Sequence, residues 1–273
     1  MNWARTAGLT VLTLMAASGV APAAYLLQEG EPSFTKHAVS AQEAHATEAG
    51  REALRNGGNA IDAAIATAFA LAVTLPEAGN LGGGGFIVAY LADRHEVVTV
   101  DFREMAPGSS TPTMYLDTNG KPRPGHREGA WAAGVPGTVR GLGLAHSRWA
   151  RLPWTDLVRP AAKLAREGFP ISAELADALN FQLSPRKPVD GSSSGARGFS
   201  NRLADFPETA AAFSRPDGKP WKAGDLLVQK DLAATLDRIA EHGPNEFYTG
   251  ETARIIAVYM KANGGRITLD DLA

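Results

Sequence analysis

Two features of this sequence could do chemistry. The first is Gly82-Gly83-Gly84-Gly85, four consecutive glycines just ahead of the run Phe86–Leu91. Residues without a Cβ let a backbone approach a ligand closely, or turn successive N–H groups toward an anion. The same run equally makes a tight helix-to-strand connection under a packed layer. It fits neither G-x-x-x-x-G-K-[ST] nor G-x-G-x-x-G, so it gives no support to a nucleotide site. The second feature is Arg103. A guanidinium at the end of a strand can hold a carboxylate through two parallel hydrogen bonds, which suits recognition of an amino acid. The alternative is a surface ion pair with Asp101 or Glu104.

Other chemistries find little to work with. The sequence has no cysteine, which removes disulfides, thiol nucleophiles and thiolate zinc sites. His37, His45, His95, His126, His146 and His242 show no H-E-x-x-H or comparable spacing, and each reads as solvated or satisfied in the core. There is no G-x-S-x-G elbow. No metal, cofactor or nucleophile is therefore read from these 273 residues.

The elements that would position Arg103 are legible from pattern. Ala41–Asn56 reads as a helix with small residues on one face, ended by Gly57-Gly58 where a positive φ is needed. Asn59 caps a second helix, with Asp62 three residues on. Ile61–Leu75 is apolar on every side and must be buried between layers; Pro76 stops it. Phe86–Leu91 and Val97–Phe102 are rich in β-formers and flank a polar turn, so they read as an antiparallel hairpin of a central sheet. Pro136 opens a helix bearing Val139, Leu142 and His146, and Pro160 opens another that ends at Gly168. Ser172 caps a third. Leu183–Gly224 is dense in Pro, Ser and Gly and reads as long surface loops. Asp231–His242 and Glu251–Asn263 are amphipathic helices. Thr268 and Asp271 make a capping-box-like helix start with two residues left after it, which reads as an end inside a longer polypeptide.

Composition sets the class. An apolar fraction of 44% is that of a folded globular chain, and a net charge of -2 with mixed signs excludes a nucleic-acid-binding field. At the N-terminus, Arg5 precedes the apolar run Ala7–Ala17, and Ala21-Pro22-Ala23 fits an A-x-A cleavage site. The run is shorter than the ~20 residues of a spanning helix. Residues 1–23 thus read as a signal peptide, 24–36 as a linker, and 37–273 as the mature domain. Export to the periplasm or medium follows, with an uncleaved membrane anchor as the alternative.

The order of the motifs is more specific than any one of them. Gly57-Gly58-Asn59-Ala60-Ile61-Asp62-Ala63-Ala64 is followed by Leu81-Gly82-Gly83-Gly84-Gly85-Phe86, then Asp101-Phe102-Arg103-Glu104-Met105-Ala106-Pro107 and Gly134-Val135-Pro136-Gly137. Leu152-Pro153-Trp154, Gly168-Phe169 and Gly243-Pro244-Asn245-Glu246-Phe247-Tyr248 come after. From about His37 to Ala273 the chain resembles the N-terminal part of the large subunit of the γ-glutamyltransferase (glutathione hydrolase) family.

That resemblance implies an α/β (α+β) chain of the N-terminal-nucleophile hydrolase class, a four-layer αββα sandwich incomplete in this chain. It implies a self-cleaving precursor whose small subunit begins with the attacking Thr. It assigns Arg103 to the α-carboxylate of the γ-glutamyl group of glutathione and related substrates. The Thr, the cleavage site and the small-subunit partner are expected outside these residues, so the chain alone should be inactive, with exposed strand edges. The glycine run is expected to be structural. Two alternatives are a cephalosporin-type acylase of the same fold, disfavoured by the retained Arg103, and a non-catalytic exported binding module.

Overall fold

In a computed structural model of the protein, residues 36–123, 128–184 and 203–273 are described. The signal peptide, nearly all of the linker, His126 and residues 185–202 of the loop-rich stretch lie outside them. The chain divides into two units, Met1–Ala38 and Val39–Ala273; all the described helices and strands belong to the second.

Helix α1 (Ala44–Arg55) and helix α2 (Ala60–Thr74) are joined by the turn at Gly57, whose φ of 91° only glycine adopts readily. Asn59 caps α2 by accepting from the Ile61 and Asp62 amides, while Asp62 accepts back from the Asn59 amide. The Asp62 carboxylate is fully buried and also accepts from the backbone N–H groups of Arg151 and Leu152, at 2.9–3.1 Å. One side chain thereby satisfies amides from segments about 90 residues apart. As its pattern requires, α2 is buried nearly all round, with Ile65, Phe69 and Val73 inaccessible. Each such side chain contributes roughly 1.5–3 kcal/mol through burial.

Strands β1 (Phe86–Leu91) and β2 (Glu96–Asp101) form the expected antiparallel hairpin, Phe86 opposite Asp101 and Leu91 opposite Glu96. Ile87, Ala89 and Val100 face the helical core. Phe86, Val88, Tyr90 and Val97 face outward and are 61–74% exposed. Among the described residues the central sheet consists of this hairpin alone. A second ladder pairs β3 (Phe169–Pro170) with β4 (Leu226–Leu227).

Helix α3 (Thr138–Trp149) starts two residues after Pro136, with Gly137 as its N-cap, rather than on the proline. Helix α4 (Trp154–Glu167) contains Pro160 in its interior instead of beginning there. The proline removes the bond that the Asp156 carbonyl would otherwise accept. Leu157, Val158, Ala161 and Ala162, buried on either side, hold the helix through it. Its true start is fixed by tertiary contacts: Trp154 Nε1 and Thr155 Oγ1 donate to the carbonyls of Ile239 and Ala240, at 2.9 and 3.1 Å. Those carbonyls end helix α7 (Lys230–His242), which packs along α4.

Ser172 caps α5 (Ala173–Leu183) as expected, its Oγ accepting from Leu175 N at 3.1 Å. The stretch read as loop holds a helix, α6 (Pro207–Phe213), which its Ala-rich segment forms. After α7 come the short α8 (Glu246–Thr249), then α9 (Glu251–Ala262) and the capped turn α10 (Leu269–Leu272).

Replacing Asp62 with Ala leaves three partly buried amides, those of Asn59, Arg151 and Leu152, without this acceptor. We expect a loss of about 3 kcal/mol or more, read as a lower urea midpoint. A stability within about 0.5 kcal/mol of the wild type, a surface-like effect, would contradict this role for the carboxylate.

Candidate functional site

Arg103 lies two residues beyond the end of β2, and its environment is built from backbone and glycine. The Phe102 amide extends the hairpin ladder by donating to the Gly85 carbonyl at 3.0 Å. Asp101 Oδ1 then accepts from the Arg103 amide at 3.0 Å, a local turn typical of aspartate. Beyond it, Met105 and Val135 exchange two backbone hydrogen bonds, at 3.2 and 2.8 Å, as an isolated bridge. The segment Phe102–Glu104 is thus pinned on both sides.

The glycine run supports this turn. The Gly83 carbonyl accepts from the amides of Gly137 and Thr138, at 2.8 and 3.1 Å, so it occupies free donors at the start of α3. Asn80 Oδ1 accepts from Gly83 N at 3.0 Å and from Thr138 Oγ1 at 2.5 Å, locking the two segments together. A Cβ on Gly84 would stand 2.8 Å from Arg103 Cα, and one on Gly137 would stand 2.0 Å from the Phe102 carbonyl oxygen. These glycines are required because backbones touch there.

The Arg103 side chain is exposed and makes no hydrogen bond or ion pair with any described residue. The surface-pair alternative is not realised: the Asp101 carboxylate is engaged by backbone, and Glu104 forms no salt bridge with Arg103. Neither of two hollows, of about 180 and 290 Å³, is lined by Arg103. The guanidinium stands on an open surface.

Other arginines serve the structure, in ways the sequence pattern did not reveal. Arg266 stacks over the Trp131 ring at 4.2 Å and donates to the Ser109 carbonyl at 2.8 Å. Arg140 stacks over Tyr248 at 4.2 Å and donates to the Leu272 carbonyl at 3.0 Å. The Tyr248 hydroxyl accepts from the Arg140 amide at 2.9 Å, and burial pushes its pKa up. Asp271 does more than cap its helix, because its Oδ1 also accepts from the Gly108 amide at 2.6 Å. That bond and the Thr268 contacts hold its pKa below the ordinary value. With partners more than 150 residues away, no local signal marks Arg266 or this role of Asp271. The described histidines are scattered. His45 meets Glu43, His95 meets the Tyr90 hydroxyl, and His146 Nε2 meets the Leu152 carbonyl.

The motifs that surround this turn have counterparts in known proteins. The family model described as gamma-glutamyltranspeptidase matches residues 46–273. The chain belongs to the γ-glutamyltranspeptidase family. It is 42% identical over 236 residues to a glutathione hydrolase proenzyme of Escherichia coli, covering 86% of this chain and 38% of that one. The γ-glutamyltranspeptidase of Helicobacter pylori superposes with a TM-score of 0.79 at 39% identity, over 89% of this chain and 64% of that one. A cephalosporin acylase from Bacillus halodurans matches with a TM-score of 0.69 at 26% identity, over 90% of this chain and 44% of that one. The fold is accordingly α+β, of the N-terminal-nucleophile hydrolase class that the motifs implied. The chain spans about two fifths of the length of the E. coli relative.

A carboxylate whose folded pKa is depressed contributes above its unfolded pKa, and the contribution is lost as pH falls through the folded value. The Asp271 brace should therefore persist through pH 3.8 and loosen below it. In an NMR titration the Gly108 amide shift should move with a midpoint below 3.8. A midpoint at or above that value would contradict the brace.

Proposed function

We propose that this chain forms the substrate-carboxylate half of a γ-glutamyltransferase, or glutathione hydrolase, active site. The observation that carries the reading is Arg103: an exposed guanidinium on a rigid turn, with no hydrogen-bond or ion-pair partner among the described residues. A bidentate pair with the α-carboxylate of a γ-glutamyl donor would meet that need and contribute about 1.5–3 kcal/mol.

The attacking group belongs to a partner segment, the small subunit, that begins with Thr. There the free α-amine takes the proton from the Thr hydroxyl. The oxygen attacks the γ-glutamyl carbonyl, the amide C–N bond breaks, and the amine leaves with a proton. Water then attacks the γ-glutamyl ester, or an amino acid or peptide does so through its amine. The Thr hydroxyl is restored. These steps use no metal or cofactor. The outward apolar face of the hairpin, Phe86, Val88, Tyr90 and Val97, supports a packed partner beside Arg103. Residues 1–23 would direct export. No helix among the described residues is long and apolar enough to cross a membrane. The cephalosporin-type reading is weaker, because the acylase matches at 26% identity against 39–42% for the γ-glutamyl enzymes.

Two measurements test this. Residues 37–273 expressed alone should release no product from a γ-glutamyl anilide; turnover would place a nucleophile within them. In the full-length enzyme, Arg103→Ala should raise the donor KM roughly 10- to 150-fold, from the 1.5–3 kcal/mol contact, with self-cleavage intact. An unchanged KM would remove Arg103 from the site. Specific γ-glutamyl binding without turnover in the full-length protein would favour a binding module.

A further inference from the structure

Phe102 occupies a seat that two distant stretches of chain leave vacant for it. A Cβ on Gly141, inside α3, would stand 2.2 Å from Phe102 Cγ and 2.4 Å from its Cβ and Cδ1. A Cβ on Gly85 would stand 2.9 Å from Cε2 and 3.1 Å from Cζ. The root of the ring is therefore flanked by one glycine and its tip by another. The adjoining backbone is enclosed in the same way, by Gly84 at Arg103 Cα and by Gly137 at the Phe102 carbonyl. Glycine is less favourable than alanine in a helix interior, because it loses more backbone freedom on folding. Gly141 is buried in α3, where alanine would ordinarily serve. The ring explains why it does not serve here.

We infer that Phe102 is a positioning residue for the carboxylate site, its ring keyed between Gly85 and Gly141 so that the following residue, Arg103, is aimed by backbone alone. This rests on the reading of Arg103 as the substrate-carboxylate ligand. No described side chain holds the guanidinium, so its reach starts from wherever the Cα–Cβ bond of Arg103 points. That direction depends on the 102–103 peptide, which the seated ring and the Asp101 turn set together. Arginine is long and rotamer-rich, so a small turn of this peptide moves the guanidinium tip by a larger amount. Errors of about 1 Å at a reacting centre cost as much as 100-fold.

The test uses the full-length enzyme and two donors: a γ-glutamyl anilide and its analogue without the α-carboxylate. Gly141→Ala, which crowds the seat, and Phe102→Leu, which keeps apolar bulk without a ring, should raise KM for the carboxylate-bearing donor about tenfold or more. Their kcat should change less, and KM for the analogue should not change. Discrimination between the donors then falls by the same factor. Phe102→Tyr retains the ring and should retain discrimination. If Gly141→Ala does not fold, the milder Phe102→Leu decides. Unchanged discrimination in Phe102→Leu, alongside its loss in Arg103→Ala, would overturn the positioning role and leave Arg103 in place. Unchanged discrimination in Arg103→Ala would overturn the reading of Arg103, and the positioning role with it. An equal loss toward both donors would overturn the positioning role and mark Phe102 as general packing.

Discussion

Where β2 leaves the hairpin, the chain passes through a gap wide enough only for hydrogen on its neighbours. Gly84 and Gly137 lie against the backbone of Phe102 and Arg103, and Gly85 and Gly141 lie against the Phe102 ring. Close approach of this kind replaces side-chain support with backbone contact, which has few alternative arrangements. The rest of the architecture brings these glycines together. The Asn80 carboxamide ties the glycine run to the start of α3, and the Met105–Val135 bridge closes the far side. The result is a fixed turn carrying one free cationic side chain. Electrostatic recognition works best from such a frame, because the donor is oriented before the ligand arrives.

Behind the turn stands a helical layer with α2 at its centre. That helix is apolar all round and depends on neighbours on every side. Asp62 at its start sets its position relative to the α3–α4 connection through the Arg151 and Leu152 amides. Gln229 approaches its far end, donating from Nε2 to the Val73 carbonyl at 2.8 Å. The hairpin lays its inner face on this layer and keeps four large apolar residues on its outer face.

The C-terminal residues brace the chain just beyond this frame. Arg266 and Asp271 hold Ser109 and Gly108, just past the Arg103 turn, while Arg140 holds the Leu272 carbonyl. Each contact combines a charge with a backbone group, a stronger class of hydrogen bond than a neutral pair. The two aromatic faces under Arg140 and Arg266 add cation–π contact.

Most helices, the hairpin and both capping boxes could be read directly from the residues, because their causes are local. An asparagine accepting amide hydrogens two and three places on, a glycine at positive φ, and alternating β-formers act within a few residues of themselves. Arg103 could be placed at a strand end for the same reason, though residue type alone left an ion pair open as well. Where local signals competed with packing, packing decided. Pro160 is interior to α4 because Trp154 and Thr155 anchor that helix on α7. Tertiary structure alone decided that four glycines from two stretches enclose Phe102, and that Asp62, Asp271 and Arg266 each reach a distant backbone group. Such contacts depend on which segments meet in space. Residue type and short-range spacing carry no record of that meeting.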